Sequence, residues 1–158
     1  MYYLVDNFYA GMLSSTALAG ISLAAPIIFM GVAVSIGIGQ GTNALVGNAL
    51  GANNQQGAEK FGGHALSFAW LSAIIIGALL YLLLPSIFQL MSAEGDYIED
   101  ATQYLSIMLP SLGFMAHGMA ANGILNSQGD TTSLRNSLFV AFIANIILDP
   151  LFMFGFGW

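Results

Sequence analysis

The sequence predicts an all-α membrane protein, a polytopic bundle of transmembrane helices, on three observations. Hydrophobic residues make up 57% of the chain. Charged residues make up only 6%, against roughly a quarter in an ordinary soluble domain. The third is arrangement: the apolar residues gather into four long runs, each at least about the 20 residues that a bilayer-crossing helix needs. Mean hydropathy is +0.78. A water-soluble fold of this size must cover its surface with charge, and two basic plus eight acidic side chains do not suffice.

The elements follow in order. Met1 to Ala10 is apolar and aromatic but too short to span, and reads as the last turns of a helix that begins upstream. Gly11 to Thr16 is a short turn of small residues. The first full span runs from about Ala17 to Leu50 and ends at Gly51, where a glycine suits a helix terminus. The polar stretch from Gly51 to Gly57 is a loop. A second span covers about Phe61 to Met91, and Ser92 to Asp100 then carries Glu94, Asp96, Glu99 and Asp100. The third span is about Ala101 to Leu125. Ser127 to Ser133 is the last connector, whose Asp130 or threonines suit a helix N-cap. The fourth span is about Leu134 to Trp158. No interdomain linker is present, so residues 1–158 are expected to form one transmembrane domain.

The charges exclude several function classes. Lys60 and Arg135 are the whole basic complement and the net charge is −6, which is incompatible with neutralising nucleic-acid phosphates. No polybasic segment suits peripheral attachment to anionic lipid. Without cysteine there are no disulfides or thiolate metal sites. Met1 is not followed by the cationic region of a signal peptide. The two basic residues flank the connectors before the second and fourth spans, so the positive-inside rule places those connectors in the cytoplasm and the acidic one outside.

Ionisable side chains within a span are expensive and normally face a cavity or a partner. Asp149 lies deep in the fourth span. Asn145, four residues earlier, shares its helix face, and Pro150 lacks the N–H that would bond the carbonyl of Ile146. A carboxylate, an amide oxygen and a freed carbonyl are hard oxygen ligands that suit a small cation; a buried carboxyl also suits a proton. The plainer reading is a hydrated acid at the outer interface. Asp6 lies between Tyr2 and Tyr9 on one helix face, or is a solvated N-terminal acid. His117 is mid-span; such a histidine either relays protons or, more commonly, donates to a neighbouring helix carbonyl. Gln40 and Asn43 in the first span, and Asn122 in the third, suit interhelical hydrogen bonds or a wet cavity. Gly37/Gly41 and Gly47/Gly51 have the GxxxG spacing that lets helix backbones approach. The segment from Gly37 to Thr42 lacks the spacing and the lysine of a nucleotide loop. No catalytic triad, metal-spaced histidine cluster or pair of catalytic carboxylates occurs, and nothing argues for an enzyme.

Five segments together resemble the multidrug and toxic compound extrusion (MATE) family. Leu4-Val5-Asp6-Asn7-Phe8-Tyr9-Ala10-Gly11 resembles the end of that family's first helix, and Leu18 to Ile27 the start of its second. Gly37-Ile38-Gly39-Gln40-Gly41-Thr42 through Leu50-Gly51-Ala52 is similar to the exit of the second helix. Asn122-Gly123-Ile124-Leu125 with Gln128-Gly129-Asp130 resembles the exit of the fourth, and Asn145 to Phe152 the signature of the fifth.

The resemblance implies part of the N-terminal lobe of a two-lobed transporter, from the end of the first helix to the fifth. The sixth helix and the C-terminal lobe of the same protein are absent, so the chain is expected to be a fragment. It further implies a secondary antiporter that exports cationic or amphipathic organic compounds across the cell membrane against H⁺ or Na⁺, without a cofactor. Carried over by position, Asp6, Asn145 and Asp149 would bind the coupling ion, including Na⁺ as a metal. Beside them, Tyr9, Gln40, Asn43, His117 and Asn122 are the candidate cavity-lining residues, with interhelical hydrogen bonding as the alternative for the amides and the histidine. The competing readings are a flippase for lipid-linked sugars or cell-wall precursors, which needs cavity cations this chain lacks, and a non-transporting membrane scaffold.

Overall fold

The structure, a computed structural model, describes residues 15–154, with the side chains of Ala17, Asp149, Pro150, Met153 and Phe154 outside the description. Four α-helices follow one another: α1 (Ser15–Gly51), α2 (Gln55–Leu90), α3 (Tyr97–Ser127) and α4 (Thr132–Phe154). No strand occurs among the described residues.

The connectors stop and restart the helices by local chemistry. After α1, Asn53 turns into the left-handed region (φ 55°), and Asn54 N–H bonds back to the carbonyl of Ala49 at 2.9 Å. Asn54 then caps α2, its Oδ1 accepting the N–H of Gly57 at 2.9 Å. That cap starts α2 six residues before the expected boundary at Phe61. Gln55, Gln56, Glu59 and Lys60 therefore form its first turns, and a helix of 36 residues, about 54 Å long, outruns the roughly 30 Å of hydrocarbon. At the end of α3, Gly129 (φ 82°) lets its own N–H reach Asn126 O while Asp130 N–H reaches Leu125 O. Asp130 caps α4 as expected: it accepts the N–H groups of Thr132 and Ser133 at 3.0 Å and the Ser133 hydroxyl at 2.6 Å. The bond from the Ser133 hydroxyl, helped by the two amides, holds the Asp130 carboxyl below the usual carboxylate range.

Small residues decide how α1, α2 and α3 pack. A Cβ on Gly20 would meet Asp100 Cβ at 2.9 Å, one on Gly39 would meet Met119 O at 2.8 Å, and one on Gly47 would meet Ser127 Cβ at 3.7 Å. Each contact joins a residue of α1 to one about eighty positions later, so α1 and α3 run parallel, side by side along their lengths. Gly62 approaches Ile124, Gly77 approaches Leu109 O, and Trp70 covers Gly113, so α2 runs antiparallel to α3. The core is correspondingly small-grained: Ala24, Ala69, Ala101 and Ala120 are fully buried beside Ile27 and Leu105. Large side chains point outward instead, with Leu82 76%, Ile107 73% and Phe114 73% exposed. Lipid rewards this arrangement, because apolar side chains gain nothing by leaving it and close backbone packing supplies the cohesion.

One expectation needs correction. Of the two GxxxG pairs only Gly47 faces α3, at ordinary contact distance; among the described residues nothing lies within 4 Å of a Cβ on Gly37, Gly41 or Gly51. The packing stripe is the neighbouring one, Gly31, Ser35 and Gly39, rotated toward α3. Among the described residues, α1 (from Leu18) and α2 are long and apolar enough by themselves to cross a membrane. Amides, His117 and two acids dilute the apolar sequence of α3, while α4 runs as a helix of 23 residues from Thr132 to Phe154. Helices that pack against others inside a bilayer tolerate such dilution, since polar groups turned to a neighbour avoid lipid.

Candidate functional site

α4 brings the candidate ion-binding residues of the fourth span into register. Its backbone stays helical through Asn145 and Asp149, so the two occupy successive turns of one face. Asn145 is half-buried, while Ile146, Ile147 and Leu148 beside it are exposed. Asn145 therefore sits on the less accessible side of α4, where an amide avoids lipid. The side chain of Asp149 lies outside the described residues, and so do Asp6 and Tyr9.

The remaining candidates spread over α1 and α3. Gln40 is exposed on α1, on the side opposite the packing stripe. Asn43 is half-buried at the α1–α3 contact, its backbone N 3.1 Å from where a Cβ on Gly123 would stand. Asn122 is half-buried on α3, with an Oδ1 that is closed off from solvent and has no hydrogen-bond partner among the described residues. His117 has a buried Nδ1, also without a hydrogen-bond partner among the described residues, and its ring tilts at 44° to Trp70 with centroids 6.2 Å apart. The expected bond from this histidine to a neighbouring helix carbonyl is thus not made at Nδ1. Trp70 occupies that side, held edge-on to Phe114 at 5.0 Å.

Sequence reasoning missed the polar side chains that are most deeply buried. Ser35, Thr42 and Ser72 are 2%, 3% and 8% exposed. Each donates within its own helix: Ser35 to Gly31 O at 2.9 Å, Thr42 to Ile38 O at 2.7 Å and Ser72 to Ala69 O at 3.0 Å. They serve as small packing residues whose hydroxyls are satisfied locally. The signal was available in the four-residue spacing of Gly31, Ser35 and Gly39. Among the described residues no group of three or more His, Asp or Glu side chains is placed to hold a metal.

The MatE family model matches residues 1–151. The chain belongs to the MATE family. Among its relatives, the FAD transporter of Shewanella oneidensis is 31% identical over 159 residues, covering 99% of this chain and 34% of that protein. The probable multidrug resistance protein YoeA of Bacillus subtilis is 29% identical, covering 90% of this chain and 31% of that protein. A crystal structure of MATE in the bent conformation superposes with a TM-score of 0.90 at 29% identity, covering 99% of this chain and 35% of the other. A multidrug resistance MATE transporter in its outward-facing conformation gives 0.88 at 28% identity, with the same coverage. The chain spans about a third of the length of the curated relatives it matches, and the match falls in the N-terminal half of the MATE structures. MATE proteins are integral membrane transporters, so the all-helical fold and its lipid-facing exterior follow from family and physics alike.

Proposed function

We propose that this MATE chain is part of the N-terminal lobe of a secondary transporter that exports small cationic or amphipathic organic molecules, driven by inward movement of H⁺ or Na⁺. In this reading Asp6, Asn145 and Asp149 form the coupling site. Empty and charged, the carboxylates favour a cavity shape that holds the substrate. Neutralised by the ion, they favour a helix rearrangement that releases it outward. The observation that carries the reading is the helical register of α4, which keeps Asn145 half-buried one turn before Asp149. It is supported by relatives named as multidrug resistance and multidrug export proteins.

A second substrate class has its own support, since one relative is named as an FAD transporter. FAD carries a pyrophosphate, and this chain's cations, Lys60 and Arg135, are both exposed at helix starts, which favours the cationic class. The test is transport by the protein that contains this chain, reconstituted into liposomes with an imposed pH or Na⁺ gradient. A fluorescent organic cation in one arm and FAD in the other separate the substrates. Asp149→Asn is expected to abolish gradient-driven transport while leaving the protein folded. Unchanged transport by that variant removes Asp149 from the mechanism.

A further inference from the structure

Where α1 ends, α2 begins and α3 ends, the three helices leave a crevice of about 290 Å³. Its floor is apolar, formed in part by Val46, Leu50 and Ile124, with Val46 only 2% exposed. Polar groups reach it from the rim: Glu59 and Gln55 on α2, and Gln128 just past α3. The Gln55 amide N–H donates to Glu59 Oε1 at 3.3 Å, which leaves the Gln55 carbonyl oxygen as an acceptor. Glu59 makes no ion pair among the described residues, and the adjacent Lys60 does not line the crevice. The C-terminal ends of α1 and α3 add partial negative charge, against one positive N-terminus from α2.

We propose that this crevice is a binding site for an alkylammonium group, with Glu59 as counter-ion. An anion meets a carboxylate there with no cation to offset it. A purely apolar ligand leaves the carboxylate and the amide acceptors unused. An ammonium carried on a short apolar stem satisfies both halves of the crevice, and the volume, at the lower edge of the roughly 300–1,000 Å³ of small-molecule pockets, fits a group of that size. The same chemistry is offered by a free organic amine and by the ethanolamine headgroup of a lipid. The proposal does not rest on the transport reading, because binding here needs neither Asp149 nor an ion gradient.

The experiment uses the protein that contains this chain, in nanodiscs, with the Ile124 methyl group observed by NMR. In phosphatidylcholine nanodiscs, n-butylammonium is expected to shift the Ile124 signal saturably, and neutral n-butanol to do so far more weakly. Glu59→Gln should weaken the n-butylammonium response about three- to fivefold, the share an exposed ion pair supplies. Glu94→Gln, in the loop between α2 and α3, should leave it unchanged. If phosphatidylethanolamine nanodiscs already show the shifted signal, and Glu59→Gln removes it, the occupant is the lipid headgroup. An unchanged response in Glu59→Gln, or equal potency of n-butanol, overturns the proposal; the unliganded Ile124 spectrum shows separately that each variant is folded.

Discussion

Replacing Gly39 with alanine tests whether close backbone packing is what joins α1 to α3. The added Cβ would stand 2.8 Å from the carbonyl oxygen of Met119, about 0.6 Å short of the 3.4 Å at which ordinary contact begins. The obstacle is backbone, so no side-chain rotation relieves it, and the helices must part over a contact that is tight on both sides of this point. Overpacking of this kind costs about 1–3 kcal/mol. For a chain of this size that lowers the unfolding temperature by roughly 2–12 °C. Gly41→Ala is the control: it stands two residues away in the same helix with nothing within 4 Å among the described residues, so helix propensity alone predicts a neutral to mildly stabilising change of up to about 1 kcal/mol. Thermal unfolding in detergent, followed by circular dichroism, compares the two. If Gly39→Ala melts with the parent, or both variants fall together, the α1–α3 interface is not held by backbone proximity.

Three other substitutions probe separate features. His117→Leu removes a buried nitrogen that has no partner among the described residues, whose desolvation costs about 1–3 kcal/mol, so it should leave melting unchanged or raise it; a clear loss of stability would show that the imidazole makes a stabilising bond. Gly129→Ala forces a side chain into the left-handed region that ends α3 and should destabilise by roughly 1 kcal/mol, read as a fall in melting temperature, whereas an unchanged melt would deny that φ matters here. Asp130 has a depressed carboxyl pKa, so its cap stabilises α4 fully above the unfolded-state value and loses that contribution as pH falls through the lower folded value. The stability difference between the parent and Asp130→Ala should therefore shrink in acid, and a pH-independent difference would contradict the assignment.

Much of this architecture is legible in the residues because connectors speak a local chemical language. Asp130 caps α4 as its type suggested, and Asn54 and Gly129 act inside the connectors the sequence marked as loops, all through bonds to atoms within a few positions. Orientation about each helix axis was harder to read. In a soluble helix the core face is the apolar one; here lipid and interior are both apolar, so α1 offers two stripes of small residues, and spacing alone does not say which meets α3. The choice fell on Gly31, Ser35 and Gly39 because α3 presents Leu112, Ala116, Ala120 and Gly123 at the complementary heights. His117 shows the same difficulty: its type suggested a polar neighbour, and the neighbour is Trp70. The pairing of Asn145 with Asp149 was legible because it depends only on helical repeat.

Among the described residues, α1, α2 and α3 pack closely on one another. Their buried hydroxyls are spent on their own backbones, so no directional bond from them needs to break when a neighbour departs. Cohesion within the trio is therefore steric: shape, and not directional bonding, decides which neighbour each of these three helices accepts.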